Sequence, residues 1–254
     1  MTEACVTTTF EELGGGRIAR VTLQNARRAN CLSKALIIEI GDAFRALAPL
    51  EDLRAAILTG AGDRAFMAGA DLAELGSADA EAGRDFITTL QQTHQAIRDL
   101  PVPVIARING ACMGAGLEMA ASCDLRIASD NARFSMPEVI IDLPSVIEAA
   151  LFPRLIGWGR TAWLLYRGDA IDAATAADWG LVEKSVPQDR LDAAVGELVE
   201  TIAANGPTGI RLQKKLMRDW ERLPLDDGIH AGIEALTEAY RTGDPRGRIA
   251  AYRK

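Results

Sequence analysis

The sequence predicts an α/β core followed by a helical tail, and three observations carry that expectation. Short apolar runs of strand length alternate with segments of helical period as far as residue 135. The strand candidates are apolar on both faces, which suits strands covered by helices. Beyond Pro187 strand signals stop, and three helical segments follow.

Residues 18–23 read as a strand after the Gly14-Gly15-Gly16 turn, and residues 25–30 as a basic polar loop. Ser33 suits a helix cap, ahead of Leu36, Ile40, Phe44 and Leu47 at helical spacing and Pro49 at the stop. Residues 55–59 form a short buried strand that ends in Gly60-Ala61-Gly62. A second amphipathic helix covers residues 84–99, with Phe86, Leu90 and Ile97 on one face. Pro101 and Pro103 flank the entry to a strand at 104–108. Gly114-Ala115-Gly116 then opens an apolar helix carrying Glu118. Strand-like residues 125–128 and 132–135 follow, and Pro137 suits the first turn of a new helix containing Glu138. The last helices are read at 191–204, 208–220 and 226–242, broken by Asn205-Gly206-Pro207 and Pro224. The division expected is a core over residues 1–190 and a helical subdomain over 191–254.

Composition narrows the function classes. The 254 residues carry a net charge of −7, which makes nucleic acid and anionic membranes poor partners. No run approaches the roughly 18 apolar residues of a membrane span, and the first residues lack the basic start and apolar run of a signal peptide. Cys5, Cys31, Cys112 and Cys123 form no CxxC pair, and Cys112 and Cys123, set among alanines and methionines, read as buried thiols of a reducing compartment. A cytoplasmic protein is expected.

The chemistry-bearing residues cluster around two turns, the glycine-bearing segment Phe66-Met67-Ala68-Gly69-Ala70-Asp71 and Gly114-Ala115-Gly116. Gly114-Ala115-Gly116 has Met119 where a dinucleotide fingerprint needs its third glycine. Two other readings stay open for it: a tight turn packing closely on its neighbours, or a helix start whose N–H groups bind an oxygen anion. Glu118 and Glu138 each sit in a first helical turn, where the helix dipole favours acids regardless of catalysis. Glu118 stands apart because Leu117, Met119, Ala120 and Ala121 surround it, and a carboxylate there needs a partner or a task. Two carboxylates near two bare-backbone turns suit carbonyl-activated proton transfer. His94 and His230 are far apart in sequence, and no His/Cys/Asp cluster suggests zinc. Ser135, His94 and Asp124 compose a triad only on paper, with no GxSxG elbow. Arg27 and Arg28 fit either phosphate contacts or a solvated loop.

Several segments together resemble the enoyl-CoA hydratase/isomerase (crotonase) family. They are Arg28 to Ser33, Leu58 to Gly62, Phe66 to Leu72, Pro103 to Gly110, Gly114 to Glu118, Cys123 to Ala128, Phe134 to Glu138, Gly180-Leu181-Val182 and the closing Ala250 to Lys254. The resemblance spans the chain in order. It implies a crotonase-like core of repeated ββα units, a helical tail that builds trimers or hexamers, and an acyl-CoA thioester ligand with no metal or redox cofactor. It implies an oxyanion hole from the N–H groups of Ala70 and Ala115. Catalytic carboxylates are implied at Glu118, which deprotonates water, and Glu138, which protonates the α-carbon. It places Arg28, Ala68, Asp71, Leu72, Ser145 and Glu148 against the ligand. Both glutamates being present points to hydration of a trans-2-enoyl-CoA. The alternatives on the same fold are an isomerase, a decarboxylase or a thioester hydrolase. The sequence departs from the family at Asp142 to Ala150, where a glycine-rich stretch is replaced, Ser145 stands for a glycine and Glu148 adds a third carboxylate. Glu148 is read either as solvated at a remodelled helix start, or as touching the acyl group or sharing the proton work.

Overall fold

A computed structural model describes residues 4–243 and 245–253. Residues 1–3 and Lys254, which the sequence reading used, lie outside the described residues. In chain order the elements begin with β1 (Cys5–Leu13), β2 (Gly16–Gln24), α1 (Lys34–Leu47), β3 (Leu53–Gly60) and β4 (Ala65–Met67). Next come α2 (Leu72–Gly76), α3 (Ala80–Asp99), β5 (Val104–Ile108), β6 (Ala111–Met113), α4 (Ala115–Ser122), β7 (Leu125–Ser129) and β8 (Arg133–Ser135). Two 3-10 turns, Pro137–Ile141 and Ile147–Leu151, lead into α5 (Phe152–Arg167), β9 (Ile171–Asp172), α6 (Ala173–Trp179) and β10 (Lys184–Val186). The chain closes with α7 (Leu191–Ala204), α8 (Pro207–Trp220), α9 (Leu225–Thr242) and α10 (Pro245–Tyr252).

The long strands pair in the order β1-β2-β3-β5-β7-β10, and only β1 and β2 run antiparallel. The short strands form a second sheet, β4-β6-β8-β9. A long strand, a short strand and a helical segment therefore recur as β3-β4-α2, β5-β6-α4 and β7-β8 with its 3-10 turn. This is the repeated ββα core that the family resemblance implies.

Side chains alternate across the large sheet. Val21, Leu58 and Ala106 point into a core shared with Phe44, Phe66 and Leu117. Their neighbours Ile18, Ile57, Ile105 and Ile127 point the other way, under Leu191, Val195 and Val199 of α7. Both faces being covered explains why these strands read as unbroken apolar runs.

The second face also corrects the expected boundary at residue 190. α7 is part of the core, because without it the outer face of β3, β5 and β7 would meet water. The helices that follow Asn205 are far less buried. α8 is anchored by Lys214, whose buried ammonium donates to Asp124 at 2.7 Å and to the Val102 carbonyl at 2.8 Å. α9 packs on α8 and leaves Leu225, Ile229, Ile233, Leu236 and Tyr240 exposed.

The helix expected after Pro137 is only a short 3-10 turn, ended by Asp142 at φ +62°. Among the described residues no helix is long and apolar enough to cross a membrane.

Candidate active site

α4 begins where β6 ends, and its first residues are set by close backbone packing. Gly114 has φ +52° and ψ −126°, a conformation essentially restricted to glycine. Two residues on, a Cβ at Gly116 would run into the Met67 carbonyl, so glycine lets α4 lie against β4. The Gly114 N–H donates to the Ser135 carbonyl at 2.9 Å, tying this turn to the end of β8 and hence to Glu138. The reading of the turn as tight packing therefore holds, and it also delivers a helix start.

Two backbone N–H groups are presented together. Ala115 opens α4, where the geometry of a helix leaves the first N–H groups without intrahelical acceptors. Ala70 lies in extended chain beside Leu32. The Leu32 N–H donates to Gly69 and the Asp71 N–H donates to Leu32, so the intervening Ala70 N–H faces the opposite side. Ala70, Ala115, Glu118 and Glu138 all line one cavity of about 590 Å³. Its walls include Leu75, Phe86, Leu90 and Val146, and exposed Leu72 and Ile140 border it.

The two carboxylates occupy different settings. Glu118 is buried within an entirely buried helix, and its Oε1 accepts from the Ala149 N–H at 3.1 Å. Burial pushes its pKa to about 9; the Ala149 N–H opposes the rise, while the nearby charges of Glu138 and Glu148 add to it. The carboxyl group of Glu118 thus holds a proton at neutral pH. Glu138 is half-buried, accepts a hydrogen bond from Ser145 Oγ at 2.9 Å, and lies against the bare Cα of Gly114.

The remaining expected ligand contacts divide. Ala68 and Leu72 line the cavity. Arg28, Asp71, Ser145 and Glu148 do not line it. Arg28 is largely exposed and pairs with Asp71 at 2.9 Å, and Asp71 caps α2 through the Ala73 N–H. Ser145 acts on Glu138 rather than on the cavity. Glu148 corrects the expectation of a solvated carboxylate. It is buried, and its Oε2 lies 2.6 Å from His94 Nδ1. The paper triad is not assembled, because His94 meets Glu148 while Asp124 meets Lys214 and the Val104 N–H.

Asn30 and Asn109 are site supports that sequence reading passed over. Both are buried and their side-chain amides converge on the Ala65 carbonyl at 2.8 and 3.1 Å, holding the loop that enters β4. The signal for Asn109 was a polar residue beside Gly110, and Asn30 stood only as one residue of the polar loop at 25–30.

Comparison with known proteins agrees with this geometry. Residues 14–253 match the family described as enoyl-CoA hydratase/isomerase. The short-chain-enoyl-CoA hydratase of Clostridium acetobutylicum is 32% identical over 238 residues, covering 93% of this chain and 91% of that protein. The crotonyl-CoA hydratase of Syntrophomonas wolfei is 32% identical over 237 residues, with the same coverage of 93% and 91%. Among solved structures, the enoyl-CoA hydratase of Bacillus anthracis superposes with a TM-score of 0.92 at 33% identity, covering 98% of this chain and 95% of that one.

Proposed function

We propose that this chain, which belongs to the enoyl-CoA hydratase/isomerase family, adds water across the 2,3-double bond of a trans-2-enoyl-CoA thioester. One observation carries the reading: two carboxylates and two outward backbone N–H groups line the same apolar cavity. The relatives named as enoyl-CoA hydratases support it.

The chemistry follows from what each group does. As water attacks the β-carbon, negative charge collects on the thioester oxygen. The N–H groups of Ala70 and Ala115 stabilise that oxygen, and one such donor is worth roughly 2.7–4 kcal/mol in the transition state. Glu118 takes the proton from water, and Glu138, held by Ser145, gives one to the α-carbon. With a proton on Glu118 the site is set for the reverse reaction, in which Glu138 removes the α-proton and Glu118 protonates the departing hydroxyl. Burial leaves a proton on Glu118 in the ligand-free protein, so hydration requires that proton to leave Glu118 first. Proton transfer beside a polarised carbonyl requires neither a metal nor a redox cofactor.

Loss of conjugated-thioester absorbance with a short and a medium trans-2-enoyl-CoA tests the reading; tight binding without turnover would sink it. The proton on Glu118 predicts a pH profile as well. Glu118 keeps it until about pH 9, and the reverse reaction needs it to protonate the departing hydroxyl. We expect kcat/KM for dehydration to fall about tenfold per pH unit beyond that point. A profile flat to pH 10 would contradict the assignment of that proton to the reaction.

The proposal includes a homotrimer or hexamer in the cytoplasm. Leu225, Ile229, Ile233, Leu236 and Tyr240 recur at helical spacing along α9 and are exposed, as on a helix that meets a partner. All four cysteines are free, consistent with a reducing compartment. Light scattering should give three or six times the chain mass, and Leu236→Glu should shift it to the monomer. A monomeric parent protein would remove this part of the proposal.

A further inference from the structure

We propose that His94 and Glu148 are positioning residues for Glu118: their buried contact holds the turn at residues 146–149 so that the Ala149 N–H is aimed at the Glu118 carboxyl group. The inference rests on the hydration reading for its kinetic consequence, though not for its geometry.

Three observations converge on this turn. His94 of α3 is fully buried, and its Nδ1 lies 2.6 Å from Glu148 Oε2. Its Nε2 has no hydrogen-bond partner among the described residues, so Glu148 satisfies this ring alone. A buried imidazole and a buried carboxylate are expensive to keep when an apolar pair of the same volume would fill the space. Next, Ile147 sits at φ +40°. A β-branched residue in the left-handed region costs of order 1–3 kcal/mol and persists only where its surroundings over-determine it. That residue directly precedes Glu148. Finally, the residue after Glu148 supplies the N–H that reaches Glu118 at 3.1 Å, shared with the Val146 carbonyl at 2.9 Å.

The path is thus continuous from α3 through Glu148 and the Ala149 N–H to Glu118 on α4. His94 pulls Glu148 inward, the inward rotation imposes the strained Ile147 backbone, and that backbone turns the Ala149 N–H toward the site. Released from His94, the turn can relax to negative φ, and the N–H leaves Glu118. Neither His94 nor Glu148 is among the residues lining the cavity, so the role assigned to them is positioning.

The test uses His94→Phe, Glu148→Leu and Glu148→Gln in the full-length protein. Phenylalanine and leucine fill the space and abolish the contact, whereas glutamine keeps a hydrogen bond to His94 without the charge. We expect H94F and E148L to lower kcat by about 10- to 100-fold, as misplacement by an ångström does, with KM changed less than about threefold. E148Q should recover most of what E148L loses. The charged or titratable side chains acting on Glu118 are Glu138 and Glu148, so the titration of Glu118 supplies a readout that general destabilisation would not move. H94F, which withdraws the N–H, should raise it. E148Q, which keeps the N–H but removes the charge, should lower it. Carbon-13 NMR of the Glu118 carboxyl, assigned with E118Q, reads these shifts whether or not the protein turns over enoyl-CoA. An inactive parent protein would therefore defeat the hydration reading while the titration still decides the positioning role. Unchanged kcat in both H94F and E148L, equal losses in E148L and E148Q, or Glu118 shifts of the same sign in H94F and E148Q would each overturn it. Should H94F not fold, E148L against E148Q carries the kinetic test, and the downward shift in E148Q carries the titration.

Discussion

Glu118→Gln is expected to lose hydration and to gain stability, both by large amounts. On the catalytic side, glutamine cannot take or give the proton that moves between water and the site. Removing a positioned acid–base group lowers the rate by about 10²–10⁴-fold. The stability gain comes from the same burial that raises the pKa. In the unfolded chain the carboxyl group titrates at 4.5, and in the fold at about 9. The folded state therefore binds the proton more tightly, and this favours folding fully below pH 4.5. The advantage drains away as pH rises toward 9, because the unfolded state ionises and is stabilised by water. At pH 7 the difference is about 3 kcal/mol. Glutamine is neutral in both states, keeps an oxygen for the Ala149 N–H, and escapes that loss. Unfolding curves of the two proteins should therefore diverge between pH 5 and pH 8, with E118Q the more stable at the higher pH. Parallel curves would show that Glu118 is not held protonated by burial. A site group that weakens the fold it sits in is a common trade of stability for activity.

Gly114→Ala should be damaging through geometry rather than charge. The backbone at φ +52° and ψ −126° strains any residue with a side chain, by about 1–3 kcal/mol. The added Cβ would also lie 2.5 Å from Glu138 Oε1 and 3.7 Å from its carboxyl carbon. Because the nearest atom is the end of a flexible side chain, the clash is relieved by moving that carboxylate. Moving it takes Glu138 off Ser145 and away from the α-carbon. The same substitution disturbs the residue before the Ala115 N–H, so both sides of the chemistry suffer. We expect kcat to fall by about 10²-fold or more, since misplacements of an ångström have that effect, with a lowered Tm but an intact fold. A G114A protein with the parent kcat would show that Glu138 need not stand against this turn.

How legible the fold was depended on whether neighbours along the chain carried the signal. The strands β2, β3 and β5 are buried on both faces, so they read as apolar runs, and α1 and α3 show their apolar stripes. β1 was passed over because it is an edge strand with mostly exposed residues, and its existence depends on pairing with β2. α5 was missed because Pro153 and the non-helical Gly157 interrupt its pattern. The tail was given one boundary because helical periodicity shows that a helix has an apolar face, not what that face meets. α7 meets the sheet, while α9 leaves its apolar side chains exposed.

What the sequence determined by itself was the set of local features: the α/β alternation, the glycine turns at Gly69 and Gly114 to Gly116, and an acid in an apolar helix at Glu118. Each is set by residues a few positions apart, and backbone sterics or helical period make it readable. Only the tertiary structure decided which of these features meet. It joined residues 70, 115, 118 and 138 around one cavity, and it set His94 against Glu148, 54 positions away. It also raised Glu118 to about 9, because a pKa is set by the solvent excluded and the charges brought near. These are properties of packing between elements, which no local stretch of chain contains.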